Sequence, residues 1–186
     1  MKKIIITSTL LIISFAIKAQ DKFYTKTGKI GFDATSAGSP EKIEGINKSS
    51  VCVLDIKTGN IQFAVMMKGF LFERALMEEH FNENYVESSK FPKTEFKGIV
   101  SNNSAVNYSK DGNYNVKVKG NLTMHGVTKE IETSGTITVK SGKIIAAASF
   151  TVVLKDFKVL IPTLVSDKVS PNATITVDCS MEPLKI

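Results

Sequence analysis

The sequence predicts an all-β fold, an antiparallel sandwich or closed barrel of about eight strands with one short helix. The clearest sign is residues 114–139, where apolar residues recur at every second position on either side of Met124-His125-Gly126. That period of two is typical of strands with one buried face and one solvent-exposed face. Shorter alternating stretches, separated by turn-forming residues, run along most of the chain. Such a sheet must bury its apolar face against another layer or against itself.

The N-terminal segment has the layout of a secretory signal peptide rather than of a folded domain. Lysines precede an apolar run at residues 4–17, and Ala19 supplies a small residue for cleavage. The run is shorter than the about 20 residues of a transmembrane helix, and no cysteine lies at the cut to carry a lipid anchor. We therefore expect a signal peptide at residues 1–19, one domain at residues 20–186, and a periplasmic or secreted protein.

Cleavage changes the charge of the chain and with it the expected partners. Removing Lys2, Lys3 and Lys18 lowers the formal net charge from +6 to about +3, a small surplus carried by lysines that are spread singly over the strands. This distribution argues against a nucleic-acid partner. It leaves open a weak, transient attraction to anionic membrane surfaces.

The first half of the chain is predicted to contain strands, with loops and turns between them, before the single helix. They are a strand at 21–33 with a bend at Gly28 and Gly31, a loop at 34–40, one or two strands at 42–56, a turn at 57–60 and a strand at 61–67. Residues 50–67 therefore form a predicted hairpin.

Residues 69–87 break the alternation and are predicted to contain the helix. Phe72, Leu76, Met77 and Phe81 fit one helical face, and glutamates and Arg74 fit the other. An irregular link follows and ends at Pro92.

The second half of the chain returns to strands. They are predicted to begin at Thr94, to continue through the hairpin at 114–139, and to follow at 144–154 and 175–181. The inward residues of the 144–154 strand are small around Ala146, Ala147, Ala148 and Ser149. Small inward residues leave room, and in a barrel that room is lumen.

Two cysteines, Cys52 and Cys179, are predicted to lie on the same face of their strands as the apolar residues two positions away. The favoured interpretation is a pair of buried free thiols that act as small apolar side chains. The alternative is one disulfide between an early strand and the last strand, which export would permit.

The residues with chemical reactivity do not form a recognisable catalytic or metal-binding pattern. His125 is interpreted as a turn residue and His80 as a solvated or capping side chain on the helix. No pair of histidines or cysteines has the spacing of zinc ligands, and Glu78 and Glu79 are adjacent on the helix and so do not share a face. We expect no catalytic residues, no metal and no cofactor, and therefore a protein that is not an enzyme.

Two blocks of sequence resemble the YceI-like proteins. They are residues 77–81 with 90–96, and residues 120–129, which look like the helix-to-strand link and the most recognisable turn of that family. Phe157 fits a later block, and the resemblance extends from about Asp21 to Pro183. It implies an extended lipocalin-like barrel, exported from the cytoplasm, that holds a long apolar molecule such as a polyisoprenoid or another lipid in its lumen.

The alternating pattern and the resemblance together predict a ligand-binding interior. Its candidate residues are Phe63, Val65, Phe70, Phe72, Leu76, Phe81, Phe96, Tyr114, Val116, Phe150, Val152 and Phe157. The expected function is carriage or sequestration of a long-chain isoprenoid or fatty ligand. Two alternatives stay open: an enzyme that acts on an apolar substrate in the same lumen, with Tyr114 as its best inward polar group, and an envelope interaction protein with a filled core. The sequence also leaves a homodimer open.

Overall fold

The computed structural model describes residues 21–184, which form one antiparallel sheet and one short α-helix. The predicted signal peptide at residues 1–19 lies outside the described residues. The strands are β1 (Lys22–Thr35), β2 (Glu44–Asp55), β3 (Asn60–Met66), β4 (Phe70–Phe72), β5 (Lys93–Val100), β6 (Gly112–Met124), β7 (Val127–Lys140), β8 (Lys143–Val153) and β9 (Val169–Pro183). The helix, α1, spans Ala75–His80.

The sheet closes on itself into a barrel. Its strand order is β1-β9-β8-β7-β6-β5-β3-β2, and β1 also pairs with β2 from Lys22 opposite Asp55 to Asp33 opposite Glu44. The three-residue β4 pairs only with residues 45–47 of β2. The predicted eight-stranded antiparallel barrel with one short helix is therefore confirmed.

The long hairpin predicted at residues 114–139 is the regular part of this barrel. β6 and β7 pair without a break from Gly112 opposite Val139 to Met124 opposite Val127. Val116, Leu122 and Ile137 point inward and are buried, whereas the lysines between them are exposed. The turn uses left-handed backbone at His125 (φ 49°) and Gly126 (φ 72°), a conformation that glycine adopts without steric cost.

The bend predicted in the first strand is also present. The pairing of β1 with β2 shifts register between Thr25 and Gly28 and again between Gly28 and Ile30. A Cβ atom at Gly28 would lie 2.5 Å from the Sγ atom of Cys179. Glycine is thus required here because the bulged strand runs directly against a buried side chain.

The cysteines are both free and buried, which confirms the favoured interpretation of the sequence. Cys52 also lies close to a sulfur of the last strand, with its Sγ atom 3.4 Å from the Sδ atom of Met181. A hydrogen bond with the Cys179 thiol, together with burial, raises the pKa of Cys52. Since the thiolate is the reactive form, this shift keeps the Cys52 thiol in its unreactive state, whereas the same hydrogen bond lowers the pKa of Cys179.

The short helix predicted within residues 69–87 is present, but Phe72, which the pattern placed on its apolar face, lies in a strand. Phe70 and Phe72 belong to β4, α1 begins only at Ala75, and a single π-helical turn follows at Phe81–Tyr85. β4 pairs with β2 from Asn47 opposite Phe70 to Gly45 opposite Phe72, and the buried Asn47 side chain donates to the Met66 carbonyl oxygen and lies under Gly69. These contacts hold Phe70 and Phe72 against the sheet, so α1 begins only after them, at Ala75.

The two ends of the barrel differ in packing. We call the top the end that carries α1, the β1–β2 connection and the β8–β9 connection. The bottom is filled by fully buried side chains, among them Leu54, Ile144 and Met181. Val106 and Tyr108, from the β5–β6 connection, join the same core. The bottom of the barrel is therefore closed by close-packed side chains.

Tyr108 provides a test of this closed bottom. Its hydroxyl donates to the Asn103 Oδ1 atom at 2.7 Å, and desolvation by burial raises its pKa to about 12 from 10.0. The unfolded chain ionises this phenol first, so its contribution to stability is complete below about pH 10 and is lost as pH rises towards 12. We expect the phase of a spectrophotometric tyrosine titration near pH 12 to disappear in Tyr108→Phe. An unchanged titration of Tyr108→Phe would contradict this placement.

Candidate functional site

The upper half of the barrel encloses a cavity of about 330 Å³, which we call the upper cavity. Its wall is built from inward side chains of the strands, from α1 and from the β8–β9 connection. Apolar residues that line it include Ile30, Phe32, Val65, Met67, Phe70, Phe72, Leu76, Phe81, Leu122, Met124, Phe150, Val152, Val159 and Ile175. The space exists because these side chains do not meet across the barrel.

A second, smaller cavity of about 110 Å³ lies below the first and is called the lower cavity. Its lining is also apolar and includes Ile61, Phe63, Phe96, Val116, Ile137 and Ala146. The residues that line both cavities are Ile30, Val65, Thr94, Leu122, Phe150 and Ile175. They form a waist, so that the two cavities are neighbouring parts of one interior.

Phe81 organises the wall of the upper cavity beneath the helix. Its ring lies 5.4 Å from the ring of Phe32, 5.4 Å from that of Phe70 and 4.9 Å from that of Phe72, centroid to centroid. These are favourable edge and tilted geometries for aromatic pairs. The cluster joins β1, β4 and the π-helical turn, and it holds three aromatic side chains against the cavity without filling it.

The charged groups of the upper cavity lie at its mouth. The Glu41 carboxylate, from the β1–β2 connection, is 2.7 Å from the Arg74 guanidinium and 3.3 Å from the Lys168 ammonium group. Both basic side chains are more than half exposed, so each pair contributes at most about 1 kcal/mol. The rim therefore links three connections across the mouth while it leaves the interior apolar.

The structure brings most of the predicted site residues together. Val65, Phe70, Phe72, Leu76, Phe81, Phe150 and Val152 line the upper cavity, and Phe63, Val65, Phe96, Val116 and Phe150 line the lower cavity. Tyr114 and Phe157 lie outside both linings. The Tyr114 hydroxyl donates to the Lys110 carbonyl oxygen at 2.9 Å, and Phe157 is buried in a 3₁₀ turn at the end of β8.

Several lining residues were not predicted. Ile30 and Ile175 follow the period of two on their strands, so the alternation contained the signal for them. Glu41, Arg74 and Lys168 lie in connections, where no periodicity indicates which way a side chain points. Their approach depends on the closure of the barrel, which brings distant connections to one end.

His125 also does more than the turn prediction indicated. Its ring is almost fully buried, with Nδ1 3.0 Å from the Phe157 carbonyl oxygen and Nε2 2.7 Å from the Glu87 carboxylate. The ring edge packs against Phe91, with centroids 4.6 Å apart. Both nitrogens face acceptors, so a ring protonated on both nitrogens donates to both. We call this contact between three connections the histidine latch.

The histidine latch coincides with unusual backbone. Glu87 (φ 45°), His125 (φ 49°) and Lys158 (φ 59°), which follows Phe157, all adopt left-handed conformations that cost non-glycine residues energy. Each of these three residues has a sequence neighbour that lines the upper cavity: Val86 beside Glu87, Met124 beside His125 and Val159 beside Lys158. The latch thus fixes the wall of the cavity from behind.

Polar groups are a minority of the interior lining. Within residues 21–184, no group of three or more His, Cys, Asp or Glu side chains is placed to hold a metal ion. Tyr85 is a polar group at the wall of the upper cavity, and burial raises its pKa. No helix in the described part of the chain is long and apolar enough to cross a membrane. What the geometry provides is an apolar interior with a charged rim.

Comparisons with known proteins agree with this architecture. A family model described as YceI-like domain matches residues 18–181 of the chain. No curated protein matches it.

Three solved structures share the fold. A polyisoprenoid binding domain from Saccharophagus degradans, implicated in plant cell wall breakdown, superposes with a TM-score of 0.75 at 12% identity, over 89% of this chain and 99% of that one. Burkholderia cenocepacia BcnA gives a TM-score of 0.66 at 14% identity, over 83% and 95%. The Campylobacter jejuni YCEI protein gives 0.56 at 18% identity, over 97% and 98%. At these identities the similarity shows a common fold.

The histidine latch can be tested by replacing its central residue. His125→Asn keeps a residue that tolerates left-handed backbone but removes the ring contacts, so we expect the free energy of unfolding to fall by about 1–3 kcal/mol. Urea denaturation followed by circular dichroism measures this change. His80→Asn, at the exposed end of α1, is the matched control and should change stability by no more than about 0.5 kcal/mol. Equal midpoints for His125→Asn and the wild type would show that the latch contributes nothing.

Proposed function

This chain belongs to the YceI-like family, and from that premise we propose that it binds one long apolar molecule, a polyisoprenoid or a similar lipid, inside the barrel. The observation that carries the proposal is the pair of neighbouring cavities with almost wholly apolar walls. The Saccharophagus degradans domain, which shares the fold, is a polyisoprenoid binding domain. A filled barrel would have no place for such a ligand.

The proposed affinity comes from burial of apolar surface rather than from polar contacts. Each Å² of apolar surface removed from water contributes roughly 25 cal/mol, so a long hydrocarbon chain gains much from an interior lined by Phe81, Leu122 and Phe150. Because the wall is largely pre-formed, little ordering opposes binding. The charged groups at the mouth stay near water, where a polar end of the ligand would also lie.

We propose that the protein is exported and that it carries or sequesters this ligand outside the cytoplasm. The support for export is the signal-peptide pattern of residues 1–19. Long apolar molecules are scarcely soluble in the aqueous space beyond the inner membrane, and a closed apolar interior would shield one from water.

A ligand of this class resides in membranes, and we propose a transient contact between the top of the barrel and a bilayer surface. Leu160 and Leu164 in the β8–β9 connection are 75% and 92% exposed. Val159 and Val165, beside them in sequence, line the upper cavity. The two leucines would therefore meet the bilayer close to the mouth through which a lipid passes.

We propose binding rather than catalysis as the role of the interior. The enzyme alternative relied on Tyr114 as an inward polar group. Tyr114 lies outside both cavity linings, and its hydroxyl donates a hydrogen bond to the Lys110 carbonyl oxygen. The ionisable groups that line the upper cavity are Glu41, Arg74 and Lys168 at its rim, the exposed His80 at the end of α1, and Tyr85. Turnover of an apolar substrate that is lost in Tyr85→Phe would favour the enzyme.

Mass spectrometry of organic extracts from the purified protein tests the proposed ligand class directly. We expect a long-chain isoprenoid or fatty compound in the extract, and saturable binding of a fluorescent prenyl probe after it is removed. A clean extract together with the absence of saturable probe binding would refute the function.

Two adjacent valines offer a matched pair of variants for the binding site. Val152 points inward and lines the upper cavity, whereas Val153 points outward. Val152→Phe fills space that the ligand needs, so we expect probe affinity to fall about tenfold or more, equivalent to ~1.4 kcal/mol. Val153→Phe should bind as the wild type does. Titration of the fluorescent probe measures both, and equal affinities would place the ligand elsewhere.

A further inference from the structure

The barrel wall has a break between β7 and β8. The two strands pair only from Lys140 opposite Lys143 to Gly135 opposite Ala148. Towards the top of the barrel, β7 extends from that rung to Val127 and β8 extends to Val153. In these parts β7 pairs only with β6, and β8 pairs only with β9. The upper halves of these neighbouring strands are therefore separated by a wedge without a hydrogen-bond ladder.

The apex of this wedge is lined by small side chains. Gly135 and Ala148 form the last rung, and Ala147 and Ser149 beside them are exposed. Gly135 has no room for a side chain, because a Cβ atom there would lie 2.7 Å from the Ala147 carbonyl oxygen. No large side chain on this rung covers the apex of the wedge.

The lower cavity reaches this point from inside. Its lining includes residues that border the wedge, namely Ile131 and Thr133 on β7 and Phe150 on β8. Thr136 and Ala147, which alternate with the inward residues, line the cavity as well. A cavity that touches residues of both parities on neighbouring strands extends through the wall.

An open groove meets the cavity from outside. Polar residues of the outer surface, such as Asn115, Lys117 and Ser134, line it. It shares six lining residues with the lower cavity: Val116, Gly135, Thr136, Ala147, Ala148 and Val177. The inner and outer spaces therefore meet at the apex of the wedge.

Below the waist, packed side chains and the histidine latch bound the lower cavity and the wedge. Close-packed side chains such as Leu54, Ile144 and Met181 fill the bottom of the barrel. The upper end of the wedge is spanned by the histidine latch, where His125 of the β6–β7 turn contacts the Phe157 carbonyl oxygen at the end of β8. Apart from the waist that leads to the upper cavity, the apex at Gly135 and Ala148 is where the lower cavity meets the outside.

We propose that this apex is a lateral window, an opening in the barrel wall through which the apolar chain of the ligand leaves the interior. The inference rests on the proposed function and deepens it, because it assigns a class of ligand by length. A molecule with its polar end at the Glu41–Arg74–Lys168 rim fills the upper cavity, passes the waist and emerges beside Ala148. The interior then sets no upper limit on chain length, and the site accepts long polyprenyl chains as well as short ones.

Closing the window from the inside tests this proposal. Ala148→Phe places a large ring at the lip of the opening, and Thr151→Phe, an exposed position on the same strand, is the matched control. Binding of farnesol, geranylgeraniol and solanesol is measured by competition against a fluorescent prenyl probe. In Ala148→Phe we expect farnesol to bind as in the wild type and solanesol to bind about tenfold or more weakly. Thr151→Phe should bind all three prenols unchanged.

The outcomes separate the window from the function as a whole. Equal binding of solanesol by Ala148→Phe and the wild type overturns the window, and so does an equal loss of all three prenols. If the wild type binds none of them, the proposed function itself fails.

A second variant covers the event that Ala148→Phe does not fold. Thr133→Phe closes the same opening from the β7 side, where the position is half-buried and borders the wedge. It should show the same selective loss of solanesol. A solanesol derivative with a fluorophore at the end of its chain gives an independent measurement: iodide in solution should quench it in the wild-type complex, and full protection from iodide overturns the window.

Discussion

The pairing of β1 with β2 is the constraint on which the rest of the structure depends. Once the first strand closes the sheet, the number of strands fixes the width of the interior, and side-chain volume alone decides whether that interior is filled. At the bottom, large residues such as Leu54 and Met181 meet and pack. At the top, the connections and α1 surround the opening, and Phe81 is held to the wall by neighbouring rings instead of reaching across it. One closed sheet therefore has a solid end and a hollow end.

The hollow end needs support that a solid core would provide by itself. Close packing normally fixes each side chain through its neighbours on all sides, but a residue that faces a cavity lacks neighbours on one side. Here the support comes from behind the wall. Asn47 fixes the step between β3 and β4, and the histidine latch ties three connections together through the buried ring of His125. The left-handed backbone at Glu87, His125 and Lys158 is the cost of this bracing.

Much of the fold could be predicted from the sequence, because a strand with one buried face repeats every second residue. The hairpin of β6 and β7, the bend at Gly28 and the parity of Val65, Val116 and Phe150 follow from that rule. The strand at Phe70 and Phe72 could not be predicted, because these residues pair with the distant β2, and that contact arises only in the folded chain. The charged rim and the buried role of His125 were equally hidden, since both depend on connections that meet only after the barrel closes.

An interior that binds an apolar molecule, as we propose for this protein, differs from a catalytic site in what it requires of its residues. Catalysis needs a few polar groups at fixed distances, whereas apolar binding needs a surface of suitable shape and little else. Alternation supplies such a surface along every strand, which is why the lining spreads over the whole barrel rather than over one motif. The exceptional positions are then those where the surface is interrupted: the ionic rim at Glu41, and the rung of Gly135 and Ala148 where β7 and β8 part. Under the proposed function, those interruptions would determine which way a bound chain lies, because a uniform apolar wall holds it equally well at every point along its length.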